Sequence, residues 1–261
     1  MSPHPSTASS PAPVSAERRN EILRELADIA AGVVNKQLDG FATRLADALQ
    51  RVAQLCVDPE QGRGHATAAA LLKKNRYPFC YVATERLAAI LHDEITAADD
   101  PSFKIALPAG ELKRLEPDVE MDKKLCLVKA ARAIERDHSA RYADLTARLA
   151  SVLGRDELPM AQNPFRPQVF LGVVHDAWCE FQPQSALHHL VFPLLGSELC
   201  LDMCSVLHAL NTVLTRRGIA QQPGAAKPAA AGTVETAQDD PLTRELRRLF
   251  PTAGAPQGGD K

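Results

Sequence analysis

Aromatic side chains are scarce, 12 in 261 residues with a single tryptophan, Trp178. A single-strand nucleic-acid surface made of successive stacking rings therefore has little to be built from. Neither sign of charge prevails. Lys and Arg number 30 against 32 Asp and Glu, a formal −2, so long-range attraction to nucleic acid or an anionic membrane is not built in. Apolar runs are short. Val169–Val174 and Leu190–Leu195 fall well below the roughly 20 residues that span a bilayer, and Pro193 interrupts the second. Residues 1–16 have no basic stretch followed by an apolar one, so they are expected to be a disordered tail and not a secretory or transit leader. The six cysteines, Cys56, Cys80, Cys126, Cys179, Cys200 and Cys204, lack the regular spacing of a disulfide framework. Reduced thiols and a cytoplasmic location are the expectation.

Alanine and leucine are what the chain has in quantity: 41 Ala and 32 Leu against 16 Val and 7 Ile. These residues lose little side-chain entropy in a helix, which points to an all-α, multi-helix bundle with disordered N- and C-terminal tails. From Ile22 through Leu26, Ile29, Val33, Val34, Leu38, Phe41, Leu45, Leu49 and Val52 to Cys56, apolar positions recur every three or four residues. One curved or kinked helix is predicted there, with Gly32 and Gly40 as candidate bends. A loop is predicted at Asp58, Pro59, Gly62 and Gly64, then helices over 66–72 and 78–95, the second facing the core with Phe79, Val82, Leu87, Ile90, Leu91 and Ile95. Residues 99–110, with Pro101, Pro108 and Gly110, read as a connector. The most regular pattern is Leu127, Ala131, Ile134, His138, Tyr142, Leu145, Leu149 and Val152, predicting one helix from Pro117 to a closing Gly154. Three further helices are expected at 168–181, 185–195 and 197–217, with Asn163, Ser185 and Ser197 as N-caps, Pro193 ending or kinking the second and Gly218 closing the third.

The resulting division is a tail at 1–16, an N-terminal helical part at 17–98, and a C-terminal helical part at 111–219 packed with it. A linker and short amphipathic tail occupy 220–261. In that tail Leu242, Leu246, Leu249 and Phe250 lie beside Arg244, Arg247 and Arg248. So short a helix is unstable alone in water, which makes it a candidate partner-docking segment that gains order in a groove, or a cap on its own domain.

Several side-chain sets are candidates for chemistry. His175 and Cys179 share one helix face, and Cys200, Cys204 and His208 another, so Cys179, Cys200, Cys204 and His208 could meet as zinc ligands; burial of cysteine as a small hydrophobe explains the same pattern. Glu135 and His138 have the Glu-x-x-His spacing of half a di-iron site, but a second such pair is missing. No Gly-x-Ser-x-Gly elbow or other local signature sets a base beside a Ser or Cys. His188 and His189 point about 100° apart on a helix, so one is expected buried and one exposed. Lys73, Lys74, Asn75, Arg76 and Tyr77 form the densest basic cluster, a phosphate binder or a solvated face. Arg166, held between Pro164 and Pro167, could clamp a carboxylate or a helix end, with an intramolecular partner expected.

The run Glu116–Leu153, the Asn163-Pro164-Phe165-Arg166-Pro167-Gln168-Val169-Phe170 block, Asp176-Ala177-Trp178, Leu190–Leu195 and Leu210-Asn211 near Gly218 follow an order and spacing that resemble the bacterial domain-of-unknown-function 1631 family. The Leu26-Ala27-Asp28 helix is similar too, and the resemblance covers roughly 20–220. Members of that family are usually far longer, so the chain resembles their N-terminal part alone. The resemblance supplies no catalytic residue and no established reaction.

Every strong signal is core periodicity and none is a reaction centre. The expected function is a non-enzymatic protein-interaction or regulatory module, without catalytic residue, cofactor or metal, whose partner is another protein. Pairing with a second copy stays open. The alternative is a small-ligand sensor that takes a nucleotide messenger through Lys73, Lys74, Arg76 or Arg166; a metal-binding helical protein is more remote.

Overall fold

A computed structural model describes residues 15–99, 118–195 and 201–219, with side chains from residue 126 onward in the second stretch. All described residues belong to one compact unit, Met1–Ala225. Among them there are no strands; the protein is all-α. The Leu242, Leu246, Leu249 and Phe250 stripe, Cys200, Ser197, the tail at 1–14 and the connector at 100–117 lie outside the described residues.

Helix α1 (Ala16–Leu55) runs 40 residues without a break, close to 60 Å at ~1.5 Å per residue. Ser15 caps it by accepting from the Arg18 amide. Gly32 and Gly40 do not interrupt it. The buried side chains Ile22, Leu26, Ala30, Val34, Leu38, Phe41, Leu45 and Leu49 form the predicted seam along its whole length.

Two shorter helices lie end to end against that seam. Helix α2 (Pro59–Lys74) has 16 residues and α3 (Arg76–Asp99) has 24, which together match α1. The cross-links descend in order: Lys73 pairs with Asp47, Arg76 with Asp39, Thr84 donates to Asn35, and Asp99 pairs with Arg19. Both helices are thus antiparallel to α1. The predicted loop at 58–64 is instead the start of α2, because Asp58 caps it at 2.9 Å from the Glu60 amide and Pro59 suits a first turn. Gly62 lets this turn approach α1: a Cβ there would sit 3.2 Å from the Ala53 carbonyl oxygen. The break between α2 and α3 falls at Asn75, whose side-chain amide donates to the Leu71 carbonyl, while Pro78 cannot donate back to Lys74.

The expected single helix from 117 to 154 is two, α4 (Asp118–Asp137) and α5 (Ser139–Leu153), divided at His138 with φ −118° and ψ 21°. The spacing of apolar residues passes through the break unchanged, so periodicity could not reveal it. Gly154 closes α5 at φ 64°, as predicted. Helix α6 (Pro167–Phe181) begins after Arg166, not after Asn163, since Pro167 takes the first helical position. Asn163 is fully buried and makes a local turn instead, its Oδ1 accepting from the Phe165 amide at 2.8 Å while Nδ2 donates to Thr146.

Residues Ser185–Leu194 are 3-10 rather than α, preceded by Gln184 instead of a Ser185 cap, and contain Pro193. Helix α7 (Met203–Arg216) starts later than expected. Asp202 caps it by accepting from the Ser205 amide at 3.2 Å, and Gly218 follows its end at φ 74°. Helix α7 runs antiparallel to α1. Gln37 exchanges two hydrogen bonds with the Asp202 backbone, and Arg217 reaches Glu21 and Glu25 at 3.0 and 2.6 Å. These carboxylates push the Arg217 pKa up, Glu25 more than Glu21.

Four aromatics form a chain of ring contacts across α1, α3 and α6. Phe41 of α1 stacks on Phe79 of α3 at 6.5 Å, Phe79 meets the edge of Phe181 of α6 at 5.5 Å, and Phe181 lies 6.0 Å from Trp178. Such ring contacts add about 0.5–1.5 kcal/mol each beyond area burial.

Candidate functional site

Arg166 does clamp a carboxylate, and the carboxylate is internal. Both guanidinium nitrogens reach Glu94 of α3 at 2.6 Å, and Nη1 also donates to the Asn163 carbonyl at 3.1 Å. Both side chains are largely buried. This fork ties the turn before α6 to α3.

The proposed metal ligands are only partly brought together. His175 and Cys179 meet on α6, with Nε2 and Sγ 3.0 Å apart. Cys204 and His208 share α7, and Cys200 lies outside the described residues. Glu135 and His138 end up at the α4–α5 junction, both half-buried, with His138 Nδ1 buried and without a hydrogen-bond partner. Among the described residues, no group of three or more His, Cys, Asp or Glu side chains is placed to hold a metal ion. His188 is half-buried with Nε2 2.8 Å from the Gln182 carbonyl, and His189 is exposed.

The basic cluster is the place where unlike chemistry gathers at the surface. Lys73 and Lys74 end α2, Asn75 turns the chain, and Arg76 and Tyr77 open α3. Because α2 and α3 lie along α1, these residues face its polar side. Arg76 pairs with Asp39 at 2.6 Å and donates to Thr43 at 3.1 Å; Lys73 pairs with Asp47 at 3.1 Å. Asn35, Asp39, Lys73, Lys74, Arg76, Tyr77 and Cys80 line one open concavity of about 480 Å³. Burial above all, and then the Asp39 charge, push the Cys80 thiol pKa up, with Arg76 opposing.

Sequence reasoning missed the ring beside this cluster. Tyr77 and Tyr81 stand one helical turn apart, 81% and 59% exposed. The i, i+4 spacing was the available signal. Asp39 and Asn35 on α1 were also missed, because only the α1–α3 register brings them to the cluster.

No helix among the described residues is long and apolar enough to cross a membrane. Neither the curated proteins nor the solved structures contain a match to this chain. The family model described as "Protein of unknown function (DUF1631) N-terminal domain" matches residues 18–218, most of the chain, and the chain belongs to that family.

Proposed function

We propose that the chain is a non-enzymatic protein-interaction or regulatory module, and that the α2–α3 junction is one of its contact surfaces. The exposure of Tyr77 and Tyr81 carries this reading, since Phe41, Phe79, Phe165, Phe170 and Trp178 are all sealed in the core. Tyrosine and arginine are the residue types in which binding energy concentrates at interfaces. Lys73, Lys74 and Arg76 around the rings favour a protein partner that offers apolar anchors among acidic residues. The existing pairs to Asp47 and Asp39 are exposed, worth about 0–1 kcal/mol each, and so exchange at little cost. The five cysteines among the described residues are free thiols, which fits a reducing, cytoplasmic compartment.

A photo-crosslinking residue at position 81 of the full chain tests this, with the exposed Arg136 position as control. A protein adduct from 81 and none from 136 is expected. No adduct from 81, or equal yields from both, removes the reading. The Leu242, Leu246, Leu249 and Phe250 stripe remains a second proposed docking element. Deleting residues 221–261 should lose a partner at unchanged thermal stability if the stripe docks outward, and lower stability strongly if it caps its own domain.

A nucleotide-messenger sensor is the second reading, favoured by the shared concavity of Lys73, Lys74, Arg76 and Tyr77. It ranks lower because Asp39 lies on the same wall and repels phosphate, and because Arg166 is held by Glu94. A thermal shift of several degrees with mononucleotides or cyclic dinucleotides supports it; a flat response removes it.

A further inference from the structure

Helix α6 carries a cluster that the proposed contact surface does not use. His175 and Cys179 are four residues apart and so share a face, with the imidazole Nε2 3.0 Å from the thiol sulfur. The other ring nitrogen, Nδ1, lies 3.0 Å from Asp176 Oδ1. The ring is 3% exposed and is pinned by Phe192, whose ring stacks on it with centroids 4.4 Å apart. Cys179 itself is only half-buried and Asp176 is exposed, so the thiol sits at the rim of the core and not inside it.

Carboxylate, imidazole and thiol in this order are the parts of an activated nucleophile. A carboxylate on Nδ1 keeps the proton there and leaves Nε2 as the unprotonated nitrogen, 3.0 Å from a sulfur that lies to the side of the ring, 4.0 Å from Nδ1. One effect opposes activation: Cys179 is in the last turns of α6, where the helix dipole disfavours an anion by about 0.3–1 kcal/mol. A thiolate–imidazolium pair as a whole carries no net charge.

We propose that Cys179 is a reactive thiol with His175 as its base and Asp176 as a positioning residue, oxidised once per chain by a hydroperoxide and not turned over. His175 Nε2 accepts the thiol proton. The sulfur attacks the terminal peroxide oxygen, an S–O bond forms, and the O–O bond breaks. The departing oxygen takes the proton from Nε2 and leaves as water or an alcohol. Sulfur is oxidised by two electrons to a sulfenic acid and the peroxide is reduced by two. Cys80 is the internal contrast, because burial above all, and then Asp39, push its thiol pKa up, with Arg76 opposing.

The test treats the full chain at pH 7 with less than one equivalent of hydrogen peroxide, traps sulfenic acid with a cyclic diketone, and quantifies each cysteine peptide by mass spectrometry. Site-resolved iodoacetamide rates run in parallel. Cys179 is expected to lead, roughly tenfold faster than Cys80. Asp176→Asn, at an exposed side chain, should slow Cys179 several-fold while Cys56 and Cys80 in the same sample keep their rates. His175→Gln should slow it further, and Cys179→Ser should abolish the adduct. Should His175→Gln fail to fold, Asp176→Asn decides alone. Labelling of Cys179 no faster than Cys80, or an unchanged Cys179 rate in Asp176→Asn, overturns the proposal.

Discussion

Two stretches with the same kind of apolar periodicity fold differently. Residues 16–55 form one helix through Gly32 and Gly40, whereas residues 118–153 divide at His138 with no glycine or proline to divide them. Local propensity would place the breaks the other way. Each glycine costs about 1 kcal/mol relative to alanine. That is small beside a seam buried from Ile22 to Leu49, against which α2 and α3 supply a continuous partner. Helix α4 meets α6, whereas α5 meets α7, so the two halves of this stretch pack on different neighbours. Where a helix breaks here is decided by what its two halves pack against.

The largest way to break the contrast is to open the α1 seam. Phe41→Ala removes a fully buried ring that contacts Phe79 and should destabilise by about 3–5 kcal/mol in urea denaturation. Next comes the tie between the two halves of the chain. Arg166→Ala strands the largely buried Glu94 and should cost about 2–4 kcal/mol, while Arg166→Met with Glu94→Leu should recover much of the loss. A smaller effect sharpens the glycine argument. A Cβ at Gly32 meets nothing within 4 Å, so Gly32→Ala should stabilise by about 0.5–1 kcal/mol. Gly62→Ala, pressed on the Ala53 carbonyl, should destabilise. Matching signs in thermal melts would contradict the distinction.

The smallest effect concerns the start of α7. The Ser205 hydroxyl, followed by backbone amides and the His138 charge, lowers the Asp202 carboxyl pKa, with partial desolvation opposing. A depressed folded pKa contributes stability that is fully present above the unfolded value near ~4 and is lost as pH falls through the lower folded value. Asp202→Asn should therefore be less stable than the parent at pH 7, and the gap should close in melts below about pH 4.

Much of the architecture could be read from residue order, and the misses have physical causes. The α1 seam, Gly154 and Gly218 follow from periodicity and from the left-handed backbone that glycine takes easily. The α4–α5 break was hidden because His138 occupies an apolar-stripe position and the stripe continues across it. Asp58 and Gly62 were read as loop formers, although the first is a cap and the second a point of close approach. Arg166 was recognisable as a clamp because two prolines stiffen its turn, but Glu94 could be named only from coordinates. The same holds for the surface cluster: Lys73, Lys74, Arg76 and Tyr77 are contiguous, whereas Asp39 and Asn35 join them across 34 or more positions of chain.

The central proposal is that recognition happens at the α2–α3 junction. It is tested most directly in the Tyr77→Ser, Tyr81→Ser double variant, with a photo-crosslinking residue at position 74 and the thermal midpoint followed in the same samples. Exposed substitutions of this kind cost within about 0.5 kcal/mol, so the midpoint should stay within about 2 °C of the parent while the protein adduct disappears. An adduct at parental yield, or a midpoint lower by more than about 5 °C, would contradict the account.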